Sequence, residues 1–300
     1  MREELFKNCT LCPRKCNVNR LEGKRGYCGM DGTIRAARAA LHMWEEPCIS
    51  GKKGSGAVFF SGCGLRCCFC QNRDIAIGDS GKEISVERLA EIFLELQEKG
   101  AANLNLVTGA HYVPHIISAL ELARGKGMNL PVVYNSSGYE SVETIRRLDG
   151  YVDVYLPDMK YMEPELAAAF SNARDYPQAA QSAIAEMMRQ TGPCQFAENG
   201  YIKRGTIVRH LILPGHTKNS IAVLKYLYRT YGEDIFISVM NQYTPVWKNE
   251  KFPELNRKVT RREYENVLDA AIELGIENGY FQEGETAEES FIPAFDYEGV

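Results

Sequence analysis

The sequence has no long apolar run. Nothing in its 300 residues approaches the ~20 consecutive apolar positions that a membrane-spanning helix needs, so no membrane partner is expected. It has no charge excess either: 35 Lys and Arg stand against 39 Asp and Glu, a formal net charge of −4. A broad basic surface for nucleic acid is therefore not expected. The first 28 residues are charged and Cys-rich without an apolar h-region, so they do not read as a signal peptide. No internal repeat is visible. The glycine-rich GKKGSG stretch (51–56) lacks the Walker pattern, because its lysines precede its last glycine, and it reads as a turn. What the chain does have is cysteine, ten residues of it. With no signal peptide, that number points to metal binding before disulfides and to the cytoplasm.

Four of the ten fall within AVFFSGCGLRCCFCQN (57–72), after a short apolar run. Cys63, Cys67 and Cys70 stand in the spacing C-x3-C-x2-C. Thiolates are soft ligands suited to iron–sulfur clusters and zinc. Three of them leave one coordination position open, which separates a reactive centre from a structural one. Cys68 is off the spacing and reads as a packed thiol. A second set, Cys9, Cys12, Cys16 and Cys28 (C-x2-C-x3-C-x11-C), lies among Gly23, Gly26 and Gly29 on a loop-rich piece. Four thiolates form a closed set. A structural zinc and an auxiliary iron–sulfur cluster that passes electrons weigh equally here.

From Ala57 onward, short apolar runs alternate with amphipathic helical patterns. Candidate strands are 57–61, 103–108, 131–135, 151–156, 206–213 and 235–240. They are too apolar to have a solvated face, as in a buried parallel sheet. Ser85 can cap a helix carrying Leu89, Ile92, Phe93 and Leu96 on one face. Thr260 and Glu263 form a capping box before another, and Ser220 is a candidate cap for a third. Six β–α units in series imply an α/β fold, either a curved partial barrel or a doubly wound sheet. The expected organisation is a Cys-rich metal-binding segment and linker (1–50), a core (51–285) with an insertion at about 171–205, and a C-terminal tail (286–300). The acidic residues Glu283, Glu285, Glu288 and Glu289 read as solvated. In such folds chemistry sits at the carboxyl ends of the strands. Those ends carry Cys63–Cys70, Thr108–Tyr112, Asn135–Tyr139, Pro157–Lys160, Pro214–His216 and Asn241–Tyr243.

The cysteine loop, with Phe69 before its last cysteine, resembles that of the radical S-adenosylmethionine (SAM) superfamily, closest to its pyruvate formate-lyase-activating-enzyme-like branch. The resemblance covers roughly residues 30–285 and implies a partial (β/α)6 TIM-like barrel. It implies that Cys63, Cys67 and Cys70 bind a [4Fe–4S] cluster, that SAM chelates the fourth iron, and that Phe69 lies near the adenine. Thr108 and Gly109 stand where the family often has Gly-Gly-Glu, here without the Glu. Asn135, Ser136, Ser137 and Gly138 resemble an Asp-Thr-Asn-Gly segment, and Asp158-Met159-Lys160 an Asp-Leu/Met-Lys segment; both would contact the ribose or methionine part of SAM, or a monovalent cation beside it. Arg209 and His210 are further candidates on the fifth strand.

The implied activity is reductive cleavage of SAM to a 5′-deoxyadenosyl radical that abstracts hydrogen, as an oxidoreductase. The implied partners are an external electron donor of flavodoxin or ferredoxin type and, for the activating-enzyme branch, a glycyl radical enzyme. In activating enzymes, auxiliary cysteines typically follow the SAM motif; here they precede it. A different class of reading is a non-catalytic iron–sulfur or zinc protein, an electron carrier or interaction module, which predicts no SAM binding. Among the remaining residues, Cys194 reads as a packed thiol and Cys48 as a candidate to face the pocket. His111 is weighed for proton transfer against a structural role. Tyr139, Gln242 and Tyr243 are weighed for the substrate side against rim packing.

Overall fold

The computed structural model describes residues 4–78, 80–282 and 293–300. Among these residues ten strands form the sheet: β1 (Ile34–His42), β2 (Ser55–Phe60), β3 (Lys82–Ile84), β4 (Leu104–Val107), β5 (Val132–Ser136), β6 (Val154–Pro157), β7 (Gln195–Phe196), β8 (Ile202–Leu211), β9 (Phe236–Met240) and β10 (Gly279–Phe281). The order is β10-β9-β8-β6-β5-β4-β2-β1-β3, with β7 beside β8. Along that order every neighbouring pair from β2 to β10 is parallel, whereas the short β7 pairs antiparallel with β8. The order follows the chain, so each crossover advances by one place. The two ends do not meet, and the barrel is open and partial.

The six expected strands correspond to β2, β4, β5, β6, β8 and β9. Their side chains are almost wholly buried, as with Val58, Leu104, Leu106, Val132, Val154 and Val208, because helices cover one face and the barrel interior the other. The helix Val86–Glu98 starts at Ser85, whose hydroxyl accepts from Arg88 N–H, and buries Leu89, Ile92, Phe93 and Leu96. The helix Arg261–Leu274 has the full Thr260–Glu263 capping box and ends at left-handed Gly275. The helix Thr217–Tyr231 begins before Ser220, at His216. Ser220 is no cap: it is buried within the helix, and its hydroxyl meets His210 Nε2 at 2.9 Å.

Three parts of the chain differ from the sequence-based reading. The sheet begins upstream of residue 50, because β1, expected as a connecting piece, pairs antiparallel with β2. Its apolar–polar alternation is broken by consecutive alanines, which hides the strand. Residues 171–205 supply the crossover between β6 and β8: the helix Tyr176–Thr191 lays Ala183 and Met187 into the main core. Residues 293–300 lie along β1, where Tyr297 N–H donates to Ala37 O and Glu298 O accepts from Ala39 N–H. The acidic stretch 283–292 lies outside the described residues.

Candidate metal and cofactor site

The loop after β2 turns through Gly62 and through Arg66, both with positive φ (89° and 53°), and folds its cysteines back over the barrel mouth. Cys70 N–H donates to Cys67 O at 3.1 Å, and Leu65 N–H lies 3.4 Å from the Cys63 sulfur. Cys67 and Cys70 line the main cavity, and Cys63 is close enough to act electrostatically on both. Burial pushes the Cys67 thiol up to about 11 and the Cys70 thiol up to about 12. Metal binding removes those protons, since the thiolate is the ligand. The Ser171 hydroxyl donates to Cys67 Sγ at 2.9 Å. Cys68 turns the other way, towards a small separate cavity with Tyr243, Trp247 and Asn249.

The main cavity, about 320 Å³, opens at the carboxyl ends of the parallel strands. Its charged floor is a single network. Arg209 on β8 donates to Asp158 Oδ1 (3.1 Å), Glu45 Oε2 (3.2 Å) and Asn135 Oδ1 (2.6 Å). Asn105 and Asn135 both donate to Glu45 Oε1, at 3.0 and 3.1 Å. Lys160 Nζ bonds Asp158 Oδ2 at 2.6 Å. Burial works against all three charges at Asp158, Lys160 and Arg209. The opposite charges win: Lys160 and Arg209 hold Asp158 below its usual range, Asp158 and Cys67 hold Lys160 above its own, and Asp158 and Glu45 do the same for Arg209. Glu46 is the exception. Burial raises it, with Glu45 adding to the effect, and its Oε2 has no hydrogen-bond partner among the described residues.

Among the sequence candidates, Cys67, Phe69, Cys70, Asn135, Asp158, Lys160 and Arg209 line this one cavity, joined by Gln242. Phe69 packs edge-on against Tyr243 and Phe170, both with centroids 6.2 Å away. Ser136 and Ser137 shape the loop below it, where the Ser136 hydroxyl accepts from Gly138 N–H at 3.1 Å. Thr108 and Gly109 do not line it. The end of β4 reaches it through Val107, while Thr108 adopts φ 61° and its N–H donates to Asn135 O.

Other candidates have structural partners. His210 bridges Met159 O (2.7 Å) and Ser220, turned from the cavity because β8 side chains alternate faces. His111 meets Ser61 O at 2.7 Å in the core. Tyr139 donates to Asp175 and Tyr243 to Leu255 O. Cys48 packs with Ile49, Val133 and Leu156, in a cluster beneath the cavity.

Trp44, Glu45, Glu46 and Pro47, just after β1, complete the cavity wall and were not expected. The acidic pair before Pro47, in an otherwise apolar stretch, is the only local signal for them. Among the described residues, no three His, Cys, Asp or Glu side chains stand together as ligands of one metal ion, and this includes Cys63, Cys67 and Cys70. Cys67 and Cys70 face the cavity and Cys63 lies beside them, a set of soft sulfur donors that suits an iron–sulfur cluster.

Residues 57–227 match the family model described as the radical SAM superfamily. An uncharacterised protein of Methanocaldococcus jannaschii is 29% identical over 282 residues, 92% of this chain and 77% of its own length. The pyruvate formate-lyase-activating enzyme of Clostridium pasteurianum is 27% identical over 113 residues, 36% of this chain and 46% of its own. The solved structure "Native anSMEcpe with bound AdoMet" superposes with a TM-score of 0.50 at 12% identity, over 71% of this chain and 57% of that one, a likeness of fold alone. With the family model covering more than half of it, the chain belongs to the radical SAM superfamily.

Proposed function

We propose that this protein is an enzyme that cleaves SAM reductively at a [4Fe–4S] cluster held by Cys63, Cys67 and Cys70, and uses the product radical to take hydrogen from a second substrate. One observation carries the reading: Cys67 and Cys70, with Cys63 beside them on the loop after β2, share a cavity with the Glu45–Arg209–Asp158–Lys160 network. When bound, the cluster supplies the single low-potential electron that breaks the sulfonium bond to give methionine and a 5′-deoxyadenosyl radical.

The chain's own residues bind and orient. Two carboxylates and two cations at the floor offer complementary charge to the amino and carboxylate ends of the methionine moiety. Phe69, Phe59 and Val107 give the adenosine an apolar wall and exclude water. Glu46, whose Oε2 has no hydrogen-bond partner among the described residues, is a polar group offered to the second substrate. The activating-enzyme reading, with a glycyl radical enzyme as that substrate, is supported by the partial likeness to the clostridial enzyme and by the Asn135–Gly138 and Asp158–Lys160 segments.

The test is anaerobic reconstitution followed by dithionite and SAM. The expected result is 5′-deoxyadenosine from the wild type and none from Cys67→Ala. Equal product from both would overturn the assignment. Deuterium appearing in 5′-deoxyadenosine from a glycine-deuterated partner protein would support activation. Its absence across candidate glycyl radical enzymes would exclude that substrate class.

A further inference from the structure

The N-terminal cysteines are not used by the site described above, yet they are built against it. Residues 4–33 form a compact loop closed by Cys9 N–H to Val18 O (3.1 Å) and Asn17 N–H to Cys9 O (3.0 Å). Lys15 and Asn17 adopt positive φ (42° and 54°) to make the turn. All four cysteines are free thiols, with Cys9 and Cys28 buried. A Cβ placed on Gly26 would stand 3.3 Å from Cys16 Sγ and 3.8 Å from Cys28 Sγ, so these two sulfurs flank one small space. Cys16 Sγ accepts from Tyr27 N–H at 3.2 Å.

The same segment touches the loop of Cys63, Cys67 and Cys70 at several points. A Cβ on Gly62 would meet Cys28 O at 2.9 Å, and one on Gly64 would stand 3.7 Å from Cys12 Sγ. Arg14, two residues after Cys12, donates from Nε to Gly64 O (2.8 Å) and from Nη2 to Ser171 O (3.1 Å). Ser171 in turn donates to Cys67. A chain of short contacts therefore runs from one cysteine set to the other.

We infer that Cys9, Cys12, Cys16 and Cys28 hold an iron–sulfur cluster, and that this cluster is the entry point for electrons bound for the site at Cys63, Cys67 and Cys70. The metal site stands on the four thiols alone; the relay rests on the function proposed above. Zinc carries no electron, so the chain of contacts from Cys12 and Arg14 to the loop of Cys63, Cys67 and Cys70 favours a redox cluster over zinc. In the relay, a low-potential one-electron donor of ferredoxin type loses one electron, the N-terminal cluster is reduced by one and then reoxidised, and the electron passes on. No proton or other group moves.

The experiment uses the full-length chain with Cys63, Cys67 and Cys70 all replaced by Ala, so that its iron reports on the N-terminal set whatever becomes of the SAM reading. After anaerobic reconstitution, about four irons and four sulfides per chain are expected, with an electron paramagnetic resonance signal on dithionite reduction. Zinc alone, or no iron, overturns the site. Reduction of the Cys63–Cys70 cluster is then followed in wild type and in Cys12→Ser, with ferredoxin and with dithionite. A several-fold fall in the ferredoxin-to-dithionite rate ratio is expected. An unchanged ratio overturns the relay. Should Cys12→Ser not fold, Cys16→Ser serves for the ratio, and the triple variant decides the site.

Discussion

The guanidinium of Arg209 donates to Glu45 at 3.2 Å across 164 residues of chain. This bond ties the segment after β1 to β8, on the far side of the cavity. Arg209 also holds Asn135 and Asp158, so four strand ends depend on one buried cation. Arg209→Ala leaves Glu45 and Asp158 without it and is expected to cost about 3–5 kcal/mol, as for other broken buried pairs. Urea unfolding at pH 7 measures this, and SAM titration should show weakened binding in the same variant. A double-mutant cycle with Glu45→Gln should show coupling, because the two groups touch.

Gly138 sits at φ 75°, and a Cβ there would stand 2.2 Å from Asp158 O. Gly138→Ala is expected to cost about 1–3 kcal/mol from backbone conformation, with further loss from the clash. It also moves Asp158, so SAM affinity should fall more than stability alone explains. Calorimetric titration on folded protein separates the two.

Two buried histidines, His111 and His210, make stability fall in acid. Burial, with Arg20 adding at His111 and Lys160 at His210, lowers them to about 3 and about 4 from the usual 6.5. The unfolded chain then binds more protons, so stability present above pH 6.5 is lost as pH falls towards the folded values. At pH 5 each costs about 2 kcal/mol. His210→Gln should flatten its share of the urea midpoint between pH 7 and 5.

Glu46 acts with the opposite sign. Its folded value is raised above 4.5, so the stability it contributes is present below that pH and lost as pH rises through the folded value. Glu46→Gln should remove this loss and be more stable than wild type on the alkaline side. Unfolding midpoints for the pair across the pH range check it.

The Ser171 hydroxyl withdraws charge from Cys67 Sγ. Ser171→Ala should shift the potential of a cluster bound there to more negative values, because hydrogen bonds to ligand sulfur favour the reduced state. A redox titration followed by electron paramagnetic resonance reads the shift directly.

Local signals made much of this molecule legible. Six strands announced themselves by apolar runs, and the capping box at Thr260–Glu263 marked a helix start. The C-x3-C-x2-C spacing singles out Cys63, Cys67 and Cys70 from a fourth neighbour, Cys68, which lines a separate small cavity. Asp158, Lys160 and Asn135 were visible because they end parallel strands. Thr108 was expected beside the ligand on the same logic, yet its left-handed backbone leaves Val107 facing the cavity.

What the chain determines by itself is what depends on near neighbours: strand and helix periods, caps, and metal-ligand spacing. Which residues meet across long separations was decided by tertiary structure. Glu45 and Glu46 carry no motif, and they reach the cavity only because β1 pairs antiparallel with β2 and ends beside the barrel mouth. His210 and Arg209 are adjacent in sequence, but strand alternation sends one into the core and the other to the network. The packing of the N-terminal cysteines against the loop of Cys63–Cys70 is likewise a property of the folded barrel, because Arg14 meets Gly64 O and Ser171 O only once β2 and the helix before residue 172 are in place.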